Sequence, residues 1–194
     1  MSNSNALFLN PAESLLLVVD LQEKFVPYLK HSKRVLQSTE LLLQAAKVMN
    51  IPVVVSEHNP EGIGPTVPEI ARHLDGAEVI RKDVFSCMRD QKIRAVVARR
   101  QEAKTLVIAG CETHVCIMQT SLDAMELGYN VHVAADGVSS RSELDWQMGL
   151  ERIGKAGGVI ATAEMVAYEL LRRSDTPEFK KLLPVFKEWS KREL

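Results

Sequence analysis

The chain has 194 residues, 46% hydrophobic and 25% charged, with a formal net charge of −1. That length and balance suit one domain with a substantial core, expected over residues 1–194. A charge so near zero supplies no field for nucleic acid or an anionic membrane, so neither is expected as a partner.

The N-terminal stretch MSNSNALFLNPAESLLLVVD has no positive segment before its short apolar run and does not read as a signal peptide. No apolar stretch reaches the ~20 residues needed to cross a bilayer. From there, β-branched apolar runs alternate with amphipathic stretches. Leu15–Val19 is followed by helical spacing over Val35–Met49, then Ile51–Val55. Pro60–Pro68, rich in Gly and Pro, reads as a loop. Ala77–Ile80 precedes a helical pattern over Asp90–Arg100. Its basic cluster (Arg94, Arg99, Arg100 and nearby Lys104) reads as a solvated face. Thr105–Ala109 leads to Val115–Leu127, with Gly128 after that helix. Val131–Ala134 leads to Glu143–Lys155, with Ser142 as N-cap. Gly158–Ala161 leads to Glu164–Arg172. The tail after Pro177 carries Phe179, Leu182, Leu183, Val185, Phe186 and Trp189, and is expected to pack on its own domain or on a second subunit.

Runs without strict alternation are buried on both faces, as in parallel sheets covered by helices. The alternation therefore predicts an α/β fold with a doubly wound sheet. In such sheets ligands bind beyond the carboxyl ends of the strands, so strand ends form a search list. Asp20 ends the first run, where partial desolvation suits a carboxylate to act as a base, although Asp also forms turns there. Lys82 follows the third run and can hold a neighbouring thiolate or carboxylate ionised. Its alternative is a surface lysine. Cys116 falls in the first turn of the helix after the fourth run, with Glu112 or Thr113 as cap. Free N–H groups and the helix dipole there are expected to lower a thiol's pKa, and the same N–H groups can form an oxyanion hole. Its alternative is a small buried residue, the reading given to Cys87 and Cys111. An odd cysteine count in a chain that is not short argues against a disulfide framework and for a reducing cytoplasm. Together, thiol, carboxylate and ammonium make a nucleophile, a proton shuttle and a charge stabiliser for attack on a carbonyl.

The segments that carry these residues are similar to those of the isochorismatase-like cysteine hydrolases. Asp20 stands in VVDLQEKF, resembling D-x-Q-x-x-F. Lys82 stands in RKDVFSC, resembling K-x-x-x-S. Cys116 stands in GCETHVCIMQT, resembling G-x-x-T-x-x-C. The resemblance implies a three-layer, six-stranded parallel sheet and a triad of Asp20, Lys82 and Cys116. It also implies a cis peptide joining Cys111 to Glu112, with the Glu112 and Cys116 amides facing an oxyanion. Phe25, Glu57, His58 and Phe85 are the expected substrate-binding residues. The metal-binding nicotinamidases of this superfamily carry an Asp-x-His pair where this chain has Ser56-Glu57-His58, so no metal and no cofactor are expected. Cys116 points to acyl chemistry, since true isochorismatases do not use the cysteine, and the chain looks most like the metal-free isochorismatase-domain branch. The implied activity is hydrolysis of a small amide or other carbonyl compound through a thioester, by a homo-oligomer. The alternative is a catalytically silent scaffold that binds protein partners.

Overall fold

A computed structural model describes residues 8–192. Residues 1–7, part of the segment read for a leader, lie outside the described residues. Six strands form one sheet: β1 (Ser14–Val19), β2 (Val53–His58), β3 (Glu78–Lys82), β4 (Thr105–Cys111), β5 (Asn130–Ser139) and β6 (Val159–Ala161). Every pair is parallel and the order is β3-β2-β1-β4-β5-β6. The chain winds outward from β1 to β3, then returns to place β4 on the other side of β1. Strand order therefore reverses between β1 and β4, where such sheets open a crevice. All residues of β1 and β4 are buried, because these central strands are covered on both faces.

Among the described residues eight α-helices accompany the sheet: α1 (Ser32–Met49), α2 (Pro60–Ile63), α3 (Pro68–Ala71), α4 (Gln91–Arg99), α5 (Met118–Glu126), α6 (Glu143–Lys155), α7 (Ala163–Leu171) and α8 (Pro177–Trp189). Alternation along β1 divides the core in two. Leu16 and Val18 pack with α1, α7 and α8, whereas Leu15, Leu17 and Val19 pack with α4, α5 and α6. Each such aliphatic side chain contributes roughly 1.5–3 kcal/mol by leaving water. The apolar tail joins the first of these layers, with Leu182, Phe186 and Trp189 of α8 buried in its own domain.

Several expected boundaries move, for identifiable reasons. β2 starts at Val53, not Ile51, because the Ile51 N–H closes α1 onto the Ala46 carbonyl (2.8 Å) and Pro52 has no N–H to give. It continues through the polar residues Ser56-Glu57-His58, which pair in register with β3. β5 likewise continues to Ser139 past an irregularity opposite Ile108 and Gly110 of β4. The loop expected over Pro60–Pro68 contains the single turn α2, started by Pro60 at its first position. The helix expected from Val115 is preceded by a π-turn over Thr113–Ile117, and α5 starts only at Met118.

Candidate active site

The carboxyl ends of β1, β3 and β4 converge beside the crevice. Asp20 follows β1 with φ 54, in the left-handed region that Asp tolerates better than most residues. Its backbone is gripped from both neighbouring strands. Its N–H donates to the Ser56 carbonyl of β2 (3.0 Å), and its carbonyl accepts from the Cys111 thiol of β4 (3.0 Å). The close fit of β1 against β4 depends on Gly110 (φ 126), where a Cβ would stand 2.0 Å from the Val19 carbonyl oxygen.

Lys82 is the last residue of β3 and is 1% exposed. Its Nζ donates to Asp20 Oδ2 (2.6 Å) and to the Val84 carbonyl (3.1 Å), and stands 3.7 Å from Cys116 Sγ. Ser56 Oγ donates to the other carboxylate oxygen, Oδ1, at 2.7 Å. Burial alone would depress the Lys82 ammonium. The Asp20 carboxylate leads the influences that outweigh that effect, and its pKa is raised.

Cys116 lies in the π-turn after β4. Here the structure corrects the expectation of a thiol activated by a helix N-terminus. Burial first, and then the Asp20 carboxylate, push the Cys116 thiol well up, with Lys82 opposing. The resting thiol is therefore neutral beside an Asp20–Lys82 ion pair. The expected cap is also corrected, since no side chain caps this turn. The Glu112 carboxylate is turned away to Arg141, accepting from its backbone N–H (3.0 Å) and its Nε (3.1 Å).

The Cys111–Glu112 peptide bond is cis. The Glu112 carbonyl accepts from Val115 and Ile117 (both 3.1 Å), skipping the N–H of Cys116. Among the described residues, the Glu112 N–H meets no acceptor.

A cavity of about 130 Å³ opens over the thiol, lined by Asp20, Phe25, His58, Ile63, Phe85, Cys111, Glu112, Val115 and Cys116. Of the four residues expected to bind substrate, Phe25, His58 and Phe85 line it, and the His58 ring stacks on Phe85 with centroids 5.6 Å apart. Glu57 does not. Consecutive residues of a strand face opposite ways, and Glu57 Oε1 instead accepts the backbone N–H and the hydroxyl of Thr66 (both 2.7 Å). Ile63 and Val115 were not anticipated individually. The ring of His114, next in sequence to the π-turn residues that face the cavity, meets Ser140 Oγ at 3.0 Å. Gln22 of the D-x-Q segment serves the walls. It exchanges amide bonds with His58 (N–H at 2.7 Å, carbonyl at 3.1 Å) and donates to the Gly64 carbonyl (2.6 Å).

The isochorismatase domain family model matches residues 14–165. Isochorismatase domain-containing protein 1 of Danio rerio is 38% identical over 92% of this chain; the chain spans 62% of that relative's length. Isochorismatase domain-containing protein 2A of Mus musculus is 33% identical over 92% of this chain and 84% of its own. Among solved structures, the MAR1 ribonuclease of Caenorhabditis elegans superposes with a TM-score of 0.87 at 34% identity, covering 93% of this chain and 92% of that one.

Proposed function

The chain belongs to the isochorismatase domain family, and on that footing we propose that it is a cysteine hydrolase of small carbonyl compounds, amides foremost. The observation that carries the reading is the position of the Lys82 ammonium, 2.6 Å from Asp20 and 3.7 Å from Cys116, which both line one cavity. Asp20 takes the thiol proton, and the sulfur electron pair forms a bond to the carbonyl carbon. The carbonyl electrons move to oxygen, where the N–H groups of Glu112 and Cys116 receive the charge. Collapse of this adduct expels the amine, which takes the proton back from Asp20 and leaves a thioester. Water gives a proton to Asp20 and attacks the thioester; the carbon–sulfur bond then breaks, the sulfur takes that proton back from Asp20, and the acid leaves a restored thiol. Lys82 stays protonated and keeps the negative charge tolerable in a buried site.

The cavity walls are apolar and aromatic, and at about 130 Å³ the space is below the roughly 300 Å³ of pockets for drug-sized ligands. A small acyl compound fits this reading better than the RNA chain implied by the name of the C. elegans relative. A homo-oligomer belongs to the same reading, and exposed Leu144, Met148, Met165 and Tyr168 supply apolar surface for it.

The test is a panel of small amides and esters followed by intact-mass spectrometry. The wild-type protein is expected to accumulate an acyl adduct on Cys116 with slow substrates. Cys116→Ala is expected to lose turnover by at least a hundredfold with an unchanged circular dichroism spectrum. Undiminished turnover in that variant would reject the mechanism.

A further inference from the structure

β2 lies between the strands that supply the ion pair, so Lys82 must reach across it to meet Asp20. Ser56 is the β2 residue at the crossing, in register with Val19 of β1 and Ile80 of β3. It is fully buried. It holds Asp20 twice: its carbonyl takes the Asp20 N–H (3.0 Å), and its hydroxyl donates to Oδ1 (2.7 Å). The direction of that second bond is set from behind, because Cys87 Sγ donates to Ser56 Oγ (3.5 Å).

We propose that Ser56 is a positioning residue for the proton transfer between Cys116 and Asp20. The inference rests on the hydrolase reading above. One carboxylate oxygen is held by Ser56 and the other by Lys82, which fixes the plane of the carboxylate beside the thiol. In the transfer the S–H bond breaks, its electron pair stays on sulfur, and an O–H bond forms on Asp20. Ser56 keeps its own proton throughout. Its hydroxyl bond favours the carboxylate form, the form that accepts the thiol proton. The other titratable groups around this carboxylate are Lys82 from β3, Cys87 from the turn after it, Cys111 and Glu112 at the end of β4, Cys116 from the π-turn and His58 from β2.

The experiment is the pH dependence of Cys116 alkylation by iodoacetamide, followed by peptide mass spectrometry. In the wild type the rate is expected to hold a plateau and fall along an acid limb as the acceptor of the thiol proton is lost. In Ser56→Ala that limb moves up by about one pH unit, and Ser56→Thr, which keeps the hydroxyl, restores it. A limb unmoved in Ser56→Ala overturns the assignment of Ser56 alone, even where the rate falls equally at every pH. A wild-type profile with no acid limb overturns the hydrolase reading with it.

Discussion

At the scale of single residues, the site is an ion pair folded into the protein interior. Lys82 and Asp20 are 1% and 3% exposed, and neither can lose its partner without leaving a charge in a medium of low dielectric. Lys82→Met, similar in volume but uncharged, is expected to destabilise the fold by about 3–5 kcal/mol. Urea unfolding monitored by tryptophan fluorescence measures this, and a change near zero would show that water solvates Asp20 in the variant. The three side chains that the structure brings together were legible because Asp20 and Lys82 follow the first and third apolar runs and Cys116 falls in the turn after the fourth, where the chain meets the crevice. Glu57 was misread because its side depends on strand register, and β2 runs three residues beyond the aliphatic run that marked it. The raised thiol pKa was equally hidden. A helix-start argument sees only the N–H groups that follow Cys116, whereas the carboxylate that opposes ionisation arrives from Asp20, far away in sequence.

At the scale of elements, the contact between β1 and β4 sets the distance between the Asp20 carboxylate and the Cys116 thiol. Gly110 has no substitute there: alanine would need both φ 126 and a Cβ 2.0 Å from the Val19 oxygen. Gly110→Ala is expected to cost about 4 kcal/mol or more, or to yield insoluble protein, with differential scanning calorimetry as the measure. A loss under about 1 kcal/mol would show that the two strand ends separate easily. The sheet and its main helices were readable from periodicity, and caps such as Ser142 and Asp90 behave as their residue types require. The π-turn was not readable, since its hydrogen bonds answer to the path of the backbone leaving β4 and not to side-chain pattern.

For the molecule as a whole, buried thiols tie stability to alkaline pH. Cys87 is pushed by burial from the ordinary 9.0 to about 11. Between those values the unfolded chain releases a proton that the folded chain keeps, so stability is full below pH 9.0 and falls as pH rises. Cys87 alone accounts for about 3 kcal/mol of that loss. Cys111 and Cys116 are raised and act in the same direction, as does Lys82 above its ordinary 10.5. Chemical denaturation at intervals from neutral pH upward is expected to show this decline, less steep in Cys87→Ala. A wild-type stability that is flat to pH 11 would mean that the thiols ionise in place.

Strand order carries one more consequence. The thiol, the ammonium and the carboxylate are brought together across sequence separations of 62 and 34 residues, and the ammonium is delivered by β3, at the outer edge of the sheet. The three side chains meet only when β1, β3 and the turn after β4 stand in one sheet, and a partly assembled sheet leaves the thiol without the two charges beside it. The surroundings of the Cys116 thiol are thus a certificate of finished architecture: they exist only once the edge strand β3 has docked, so a probe that senses this thiol's environment reads the completion of the sheet.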